Sequence, residues 1–279
     1  MATERGAISV TPVSLDEVRL WRDMRRLEMA CQITKDSVPG RPGWTQEYLL
    51  SLDGEPVGYG SVASAGPWQG EPTAIEIYVA PPQRQRLLDL YAAFLRVSGA
   101  VKVEVQSNDV LATVMLHRHC PEVASEAILF HDGFATALDV PGAALRQATA
   151  EEEPDASPEQ LRWRAVVEID GQKAGSGGVL FHYNRPYGDI YMAVEEAFRR
   201  RGVGSLIVQE LKRWCYQRGH IPAARCNVGN LASQRTLQKA GFVPCGHVLV
   251  GQVASDTLPS TVEDFVAAAA RRTLGATEG

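Results

Sequence analysis

The sequence predicts an α/β (α+β) chain made of two tandem copies of one strand-and-helix unit. Three observations carry this. An Asp-Gly hairpin signal occurs twice, at Asp53-Gly54 and Asp170-Gly171, each between apolar runs. Each hairpin is followed, in the same order, by a strand, an amphipathic helix ending at glycine, a second strand and a second helix. The two sets stand about 110 to 120 residues apart, and two copies suit a duplication rather than a solenoid array.

In chain order, Ser14-Leu-Asp-Glu17 has the Ser-x-x-Glu form of a capping box. It precedes a helix with Val18, Trp21 and Leu27 near helical spacing. A Pro/Gly-rich loop, Pro39 to Pro42, leads into the first hairpin, "EYLLSLDGEPVGYGSVAS". "AIEIYVAP" reads as a strand, "QRLLDLYAAFLRVSG" as an amphipathic helix stopped by Gly99, and "VKVEVQSND" as a strand entering a helix capped by Asn108. In the second half "LRWRAVVEIDGQKAGSGGVLF" repeats the hairpin, and Gly175 and Gly177 fall where Gly58 and Gly60 did. "DIYMAV" repeats "AIEIYV", and a helix from Ser205 to Arg218 follows, with Leu206, Leu211 and Trp214 near one face and Gly219 as its stop. "ARCNVGN" repeats "VEVQSND", and "KAGF" is matched with "HDGF". Arg146 to Gln160 is acidic, Pro-containing and poor in large apolar residues, as a linker should be. The expected division is therefore a domain over 1–145, a linker over 146–160 and a domain over 161–279. A last helix is signalled by the capping-box form Ser260-Thr-Val-Glu263 before "DFVAAAARRTL".

Composition narrows the function. With 45% hydrophobic and 22% charged residues, the chain reads as a globular protein with a sizeable core. A net charge of -5 argues against non-specific nucleic-acid binding, which favours basic faces. The start "MATERGAISV" has no signal-peptide pattern, and no stretch approaches the roughly 18 to 20 apolar residues of a membrane span. The cysteines Cys31, Cys120, Cys215, Cys226 and Cys245 are odd in number and scattered. They read as free thiols of a cytoplasmic protein.

The least ordinary stretch is "FRRRGVGSLIV", Phe198 to Val208, which stands between a strand and a helix. A helix N-terminus offers unpaired N–H groups and the positive end of the dipole, and so attracts phosphate. Gly202 and Gly204 permit close backbone approach and positive φ. Arg199, Arg200 and Arg201 add charge-assisted hydrogen bonds. Together with Val203 and Ser205 at the helix start they form a candidate pyrophosphate cradle. The dinucleotide fingerprint fails because Ile207 stands where its third glycine belongs, and the NTP-binding loop fails for want of a lysine. What remains is Arg-x-x-Gly-x-Gly, at Arg199, Gly202 and Gly204. About 30 residues on, "CNVGNLASQRTLQKAGF" supplies Asn230, Ser233, Gly241 and Phe242.

On these two stretches the chain resembles the GNAT superfamily of N-acetyltransferases, closely over Arg162 to Val250 and in outline over the first half. The resemblance implies that each half is a mixed, mostly antiparallel sheet flanked by helices, and that acetyl-CoA is the co-substrate. It implies that Met192, Ala193 and Val194 present backbone N–H groups to the thioester oxygen, and that Asn230 and Ser233 meet the cofactor arm or cap the helix. It puts Asp189 where the family keeps a glutamate, as general base acting through water; the alternative is a solvated carboxylate at a strand start. The family's thiolate-protonating tyrosine position holds Leu237 instead, which leaves Ser233, Cys226, a water or no donor at all.

In the first half the loop reads "APPQRQRLLDL". Arg84 survives, but Leu87 and Asp89 occupy the glycine positions, which implies a degenerate copy without cofactor. His182, Tyr183 and Tyr187 either line the acceptor pocket or are ordinary loop residues. His117, His119, Cys120 and His131 match no closed metal-ligand spacing, and no metal is expected. The reading is an N-acetyltransferase acting on a primary amine of a small molecule or peptide, as a monomer or homodimer, with neither nucleic acid nor membrane as partner. The other reading is a CoA-binding sensor or scaffold without chemistry.

Overall fold

The computed structural model describes residues 6–149, 152, 161–255 and 257. The helix expected after Ser260 and most of segment 146–160 lie outside the described residues. Twelve strands and five helices are found among them. The strands are β1 (Ile8–Val13), β2 (Thr45–Leu52), β3 (Glu55–Ala63), β4 (Thr73–Val79), β5 (Lys102–Gln106), β6 (Val123–Asp132), β7 (Ala143–Gln147), β8 (Leu161–Ile169), β9 (Gln172–Leu180), β10 (Tyr187–Val194), β11 (Ile221–Asn227) and β12 (Phe242–Gln252). The helices are α1 (Arg19–Met29), α2 (Leu87–Ser98), α3 (Val110–His119), α4 (Val203–Gln217) and α5 (Leu231–Lys239). Among the described residues no helix is long and apolar enough to cross a membrane.

Local chemistry explains most boundaries. Both Asp-Gly turns have two consecutive positive φ values, at Asp53 (51°) and Gly54 (85°), and at Asp170 (52°) and Gly171 (75°). That is the geometry a two-residue hairpin needs. Gly99 closes α2 at φ 64°. The Glu17 carboxylate accepts from the N–H and hydroxyl of Ser14, both at 2.8 Å, which ties down the chain just before α1. The cap of α3 differs from expectation. Asp109, not Asn108, accepts from the Ala112 N–H at 3.1 Å. Asn108 instead accepts from the Gln106 side-chain amide. Gly60 and Gly177 explain the repeated glycines. A Cβ on Gly60 would lie 2.6 Å from the Phe94 ring of α2, and one on Gly177 2.7 Å from Ile207 of α4. In each copy the helix lies so close to the hairpin that only hydrogen fits between them.

The chain divides into two compact units, and the division falls elsewhere than the acidic segment. One unit holds the described residues up to Cys31, Ser37–Ser125 and those from Val248 on; the other holds Gln32–Asp36 and Glu126–His247. The cuts therefore fall within β6 and β12. In the first unit β1, β2, β3 and β4 form an antiparallel run, β5 joins β4 in parallel, and Val248–Gln252 of β12 closes against β5 antiparallel. In the second, β6 pairs antiparallel with β11, β11 lies parallel to β10, and β10, β9, β8 and β7 continue antiparallel. Each unit is thus a mixed, mostly antiparallel sheet.

Each unit also takes a closing strand from the other half of the sequence. β6 follows α3 but pairs with β11, whereas β12 follows α5 and its last part pairs with β5. Strand β7, expected in the first domain, pairs with β8 over Ala143↔Ile169 to Gln147↔Ala165 and belongs to the second unit.

The match of "HDGF" with "KAGF" is corrected by the same geometry. Gly241-Phe242 opens β12 directly after α5, while Gly133-Phe134 stands at the far end of β6. The two dipeptides are neighbours rather than equivalents, since the N–H groups of Gly133 and Phe134 both donate to the Gly241 carbonyl, at 3.0 and 3.1 Å.

Each unit has its own core. Tyr48, Leu90, Phe94 and Met115 centre the first; Phe130, Ile207, Val208, Leu211 and Phe242 centre the second. Fully burying each such side chain contributes about 1.5 to 3 kcal/mol. In the second unit this apolar packing fixes α4 on the sheet, and so fixes the loop that precedes it.

Candidate active site

The loop from Val194 to α4 has the geometry of an anion cradle. β10 ends at Val194, a short 3-10 turn covers Glu196–Phe198, and Phe198 is buried as its anchor. Arg199 turns back and donates through Nε to the Val194 carbonyl at 3.4 Å. Arg201 lies over the Phe198 ring at 5.1 Å. All three arginines are exposed. Arg200 at φ 62° and Gly202 at φ 87° bend the chain into the helix, whose N-terminus has no side-chain cap, so that its first N–H groups lack an intrahelical partner.

The two glycines have different reasons. Gly202 needs its positive φ, whereas Gly204 is helical, and a Cβ there would lie 3.1 Å from Thr236 of α5 and 3.2 Å from Val194. The Ser205 hydroxyl is buried and donates to the Thr236 carbonyl at 3.1 Å, and Val203 is buried in the core. These two residues have only backbone N–H groups to offer a ligand.

Beside this loop the sheet opens. β10 and β11 pair only from Tyr187↔Ile221 to Asp189↔Ala223, and beyond Asp189 they share no register. On the other side β10 stays paired with β9 through Val194↔Gly175. Among the described residues, the edge of Met192, Ala193 and Val194 that faces away from β9 therefore has no strand partner, and Ala193 is exposed. An extended ligand arm with its own amides suits that edge.

α5 borders the gap. Asn230 accepts through Oδ1 from the Ser233 N–H at 3.0 Å and so caps the helix; its amide nitrogen is the group left for a ligand. Leu237 is buried in the core, so that position supplies no proton. Burial raises the Cys226 thiol above its ordinary range, against a smaller lowering by the Ser233 hydroxyl, so Cys226 stays a neutral thiol.

At the near end of the gap lies a second cluster. Asp189 is buried, and its Oδ2 is 3.1 Å from Nε2 of His182, with side-chain exposures of 9% and 13%. The contact has ion-pair distance but falls outside hydrogen-bond angles. Tyr183 stands edge-on to His182 at 4.6 Å, with Arg225 of β11 6.0 Å above its ring. Burial, and then the charge of Asp189, hold the Tyr183 phenol well above its ordinary range.

Asn184 locks the loop by accepting from the Ile33 N–H at 2.7 Å, and the Tyr187 N–H donates to the Asn184 carbonyl at 3.0 Å across a cis Arg185–Pro186 bond. His182, Tyr183 and Asp189 are thus brought together; Tyr187 sits at the strand start, two residues from Asp189. The pairing of His182 with Asp189 was missed in the sequence. Its signal was the Asn-Arg-Pro turn, which folds one back towards the other.

The corresponding place in the first unit is built differently. Arg84 donates through Nε to the Val79 carbonyl at 3.0 Å, as Arg199 does to Val194, but its other end pairs with Glu28. Leu87 is buried in the core and Asp89, in the first turn of α2, pairs with Arg86 at 3.0 Å. On β4, Glu76 accepts from Arg22, Arg25 and Tyr59. Burial pushes its pKa up, but the two guanidinium groups outweigh this and hold it below the ordinary carboxylate range. Internal partners hold the arginine and carboxylate that a ligand or a base would need.

Comparison with known proteins agrees with this geometry. Residues 137–242 match the model of the Acetyltransferase (GNAT) family. No curated protein matches at a significant level. Among solved structures, an acetyltransferase from the GNAT family from Colwellia psychrerythraea is similar at a TM-score of 0.68 and 12% identity, over 88% of this chain and 100% of that one. A tandem GNAT protein from the clavulanic acid biosynthesis pathway is similar at a TM-score of 0.62 and 16% identity, over 91% and 100%. A GCN5-related N-acetyltransferase from Sphaerobacter thermophilus follows at 0.58 and 13%, over 88% and 95%. At these identities the structures speak for the fold. With the loop at Arg199–Gly204, the open edge of β10 and the family match in hand, residues 137–242 are a GNAT acetyltransferase domain in a chain with the fold of GNAT proteins, a tandem one among them.

Proposed function

We propose that the second unit moves an acetyl group from acetyl-CoA to a primary amine of a small molecule or peptide, by direct transfer. The observation that carries this is one arrangement: the Arg199–Gly204 cradle, the unpaired edge of Met192–Val194 and a buried carboxylate, Asp189, at the other end of the same strand. The pyrophosphate meets the α4 N-terminus and the exposed arginines, and the pantetheine arm pairs with the β10 edge. The thioester carbonyl points at N–H groups of that edge, which stabilise the oxyanion of the tetrahedral intermediate. The acceptor enters from the side of His182, Tyr183 and Tyr187, where Asp189 makes the site basic. An alkyl ammonium has a pKa near ~10.4 and attacks only once it has lost its proton. The thiolate leaves with water or solvent as its acid, because Leu237 provides none. In this reading the first unit is a non-binding copy, and the protein works in the cytoplasm, where its cysteines remain thiols.

Buried Leu237 is the observation that favours the other reading, a CoA-binding module without chemistry. Release of CoA thiol from acetyl-CoA in the presence of a panel of primary amines separates the two. Turnover that falls by about 10²- to 10⁴-fold in Asp189→Asn is expected. CoA binding with no turnover on any amine would leave the binding module standing.

A further inference from the structure

We infer that His182 is the group that takes the proton from the acceptor amine, with Asp189 as the positioning residue behind it. This rests on the acyl-transfer reading above and assigns the proton path within it.

The geometry of the pair points this way. The imidazole stands against Asp189 with Nε2, its buried nitrogen, 3.1 Å from the carboxylate Oδ2. Nε2 therefore carries the hydrogen in the neutral ring, and Nδ1 carries the lone pair that can receive a proton. Active-site hydrogen bonds are commonly poorly aligned before substrate binds. The carboxylate is the more enclosed of the two, at 9% exposure against 13%, and one of its oxygens already faces the ring. Tyr183 stands edge-on at 4.6 Å and limits ring rotation. Its own hydroxyl is buried and faces the Asp189 carboxylate, so that carboxylate meets both side chains.

The charged and titratable groups around His182 are Asp189 from β10, Tyr183 beside it, and, through Tyr183, Arg225 from β11 and Cys245 from β12. Asp189 is the one in direct contact. Its carboxylate faces Nε2 and so orients the ring that receives the proton.

The step balances as follows. The acceptor ammonium first gives one proton to Nδ1 of His182. The freed amine nitrogen then forms a bond to the thioester carbonyl carbon, and the carbonyl π pair moves to oxygen. The oxyanion collapses, the C–S bond breaks and its pair leaves on sulfur, while the second N–H proton passes to the thiolate or to water. The products are the amide, the CoA thiol and a protonated His182, which returns its proton to solvent.

The test uses the full chain, acetyl-CoA and ethanolamine, lysine, spermidine and tyramine as acceptors, with release of thiol as the readout. In His182→Ala, kcat at neutral pH is expected to fall about 10²- to 10⁴-fold while calorimetric binding of acetyl-CoA stays as in wild type. The deficit shrinks as pH rises and solvent supplies the free amine. Added imidazole restores part of the rate to His182→Ala but not to Asp189→Asn. His182→Gln, which keeps volume and polarity, guards against a folding defect and should lose the rate equally. If both His182 variants keep the wild-type kcat and pH profile while Asp189→Asn loses the rate, Asp189 acts without the imidazole and the inference is overturned. If wild type turns over none of the amines, the acyl-transfer reading fails and the inference with it.

Discussion

Lys212→Met is expected to lower stability by about 3 to 5 kcal/mol, the cost of breaking a buried, fully partnered charge. Lys212 lies in α4 and is 1% exposed. Its Nζ donates to the Phe134 carbonyl at 2.8 Å and the Ala240 carbonyl at 2.9 Å, and pairs with Asp132 at 2.8 Å. It also stands 4.9 Å from the Phe242 ring centroid. One ammonium thus pins the end of β6, the end of α5 and the start of β12 to a single helix. Methionine fills the space but leaves two carbonyls without their donor, while Asp132 keeps the Tyr216 hydroxyl. At roughly 2 to 4 °C per kcal/mol for a chain of this class, the melting temperature should drop by about 6 to 20 °C. Calorimetric melting checks it; a melting temperature within 2 °C of wild type, on the order of the smallest shift 1 kcal/mol would give, would show that the ammonium contributes little.

The second large effect is expected from cutting the chain at the place the sequence suggests. A fragment covering 145–279 carries the whole Arg199–Gly204 loop, yet it should be insoluble or only partly folded. It lacks β6, whose residues Ala127–His131 pair with Ala223–Asn227 of β11. It loses Leu129 and Phe130, which are buried, and it leaves Val248–Gln252 without β5. An unpaired edge beside a stripped core is an aggregation site. A fragment covering 126–247 keeps β6 and should be the more soluble of the two. Size-exclusion chromatography and circular dichroism decide; a monomeric, cooperatively melting 145–279 fragment would contradict the strand assignment.

These fragments also mark where sequence reading stops. The hairpins were legible because Asp-Gly is a local signal: two positive φ values in a row admit few residue pairs. The helices were legible from their periodicity and glycine stops, and the cradle from the residue types that a phosphate needs. The exchange of β6 and β12 was not legible. Period-two patterning says that a segment is a strand but not which strand it pairs with, and the two are copies of one another. Tertiary packing decides, through the Phe130 side chain in the second core and Val248 beside β5.

The acidic segment looked like a boundary because composition reports solvation rather than connectivity. The cap of α3 lies one residue beyond the expected Asn108 because Asn108 and Asp109 both have the chemistry and only the backbone selects between them. Asp189 was legible by position. Its neighbour His182 was visible only as a residue near a turn, because the sequence does not show how tightly that turn closes. Leu237 was legible as a departure, and its burial explains why no proton donor can reach out from that place.

Titration of the whole chain with acetyl-CoA in a calorimeter should find one site per chain. In Arg199→Glu/Arg201→Glu, affinity should fall roughly a hundredfold or more, the loss of two charge-assisted hydrogen bonds, while circular dichroism should still show a folded chain because both side chains are exposed. Two equivalent sites per chain, or wild-type affinity in the double variant, would contradict the acetyl-CoA site proposed at the Arg199–Gly204 loop.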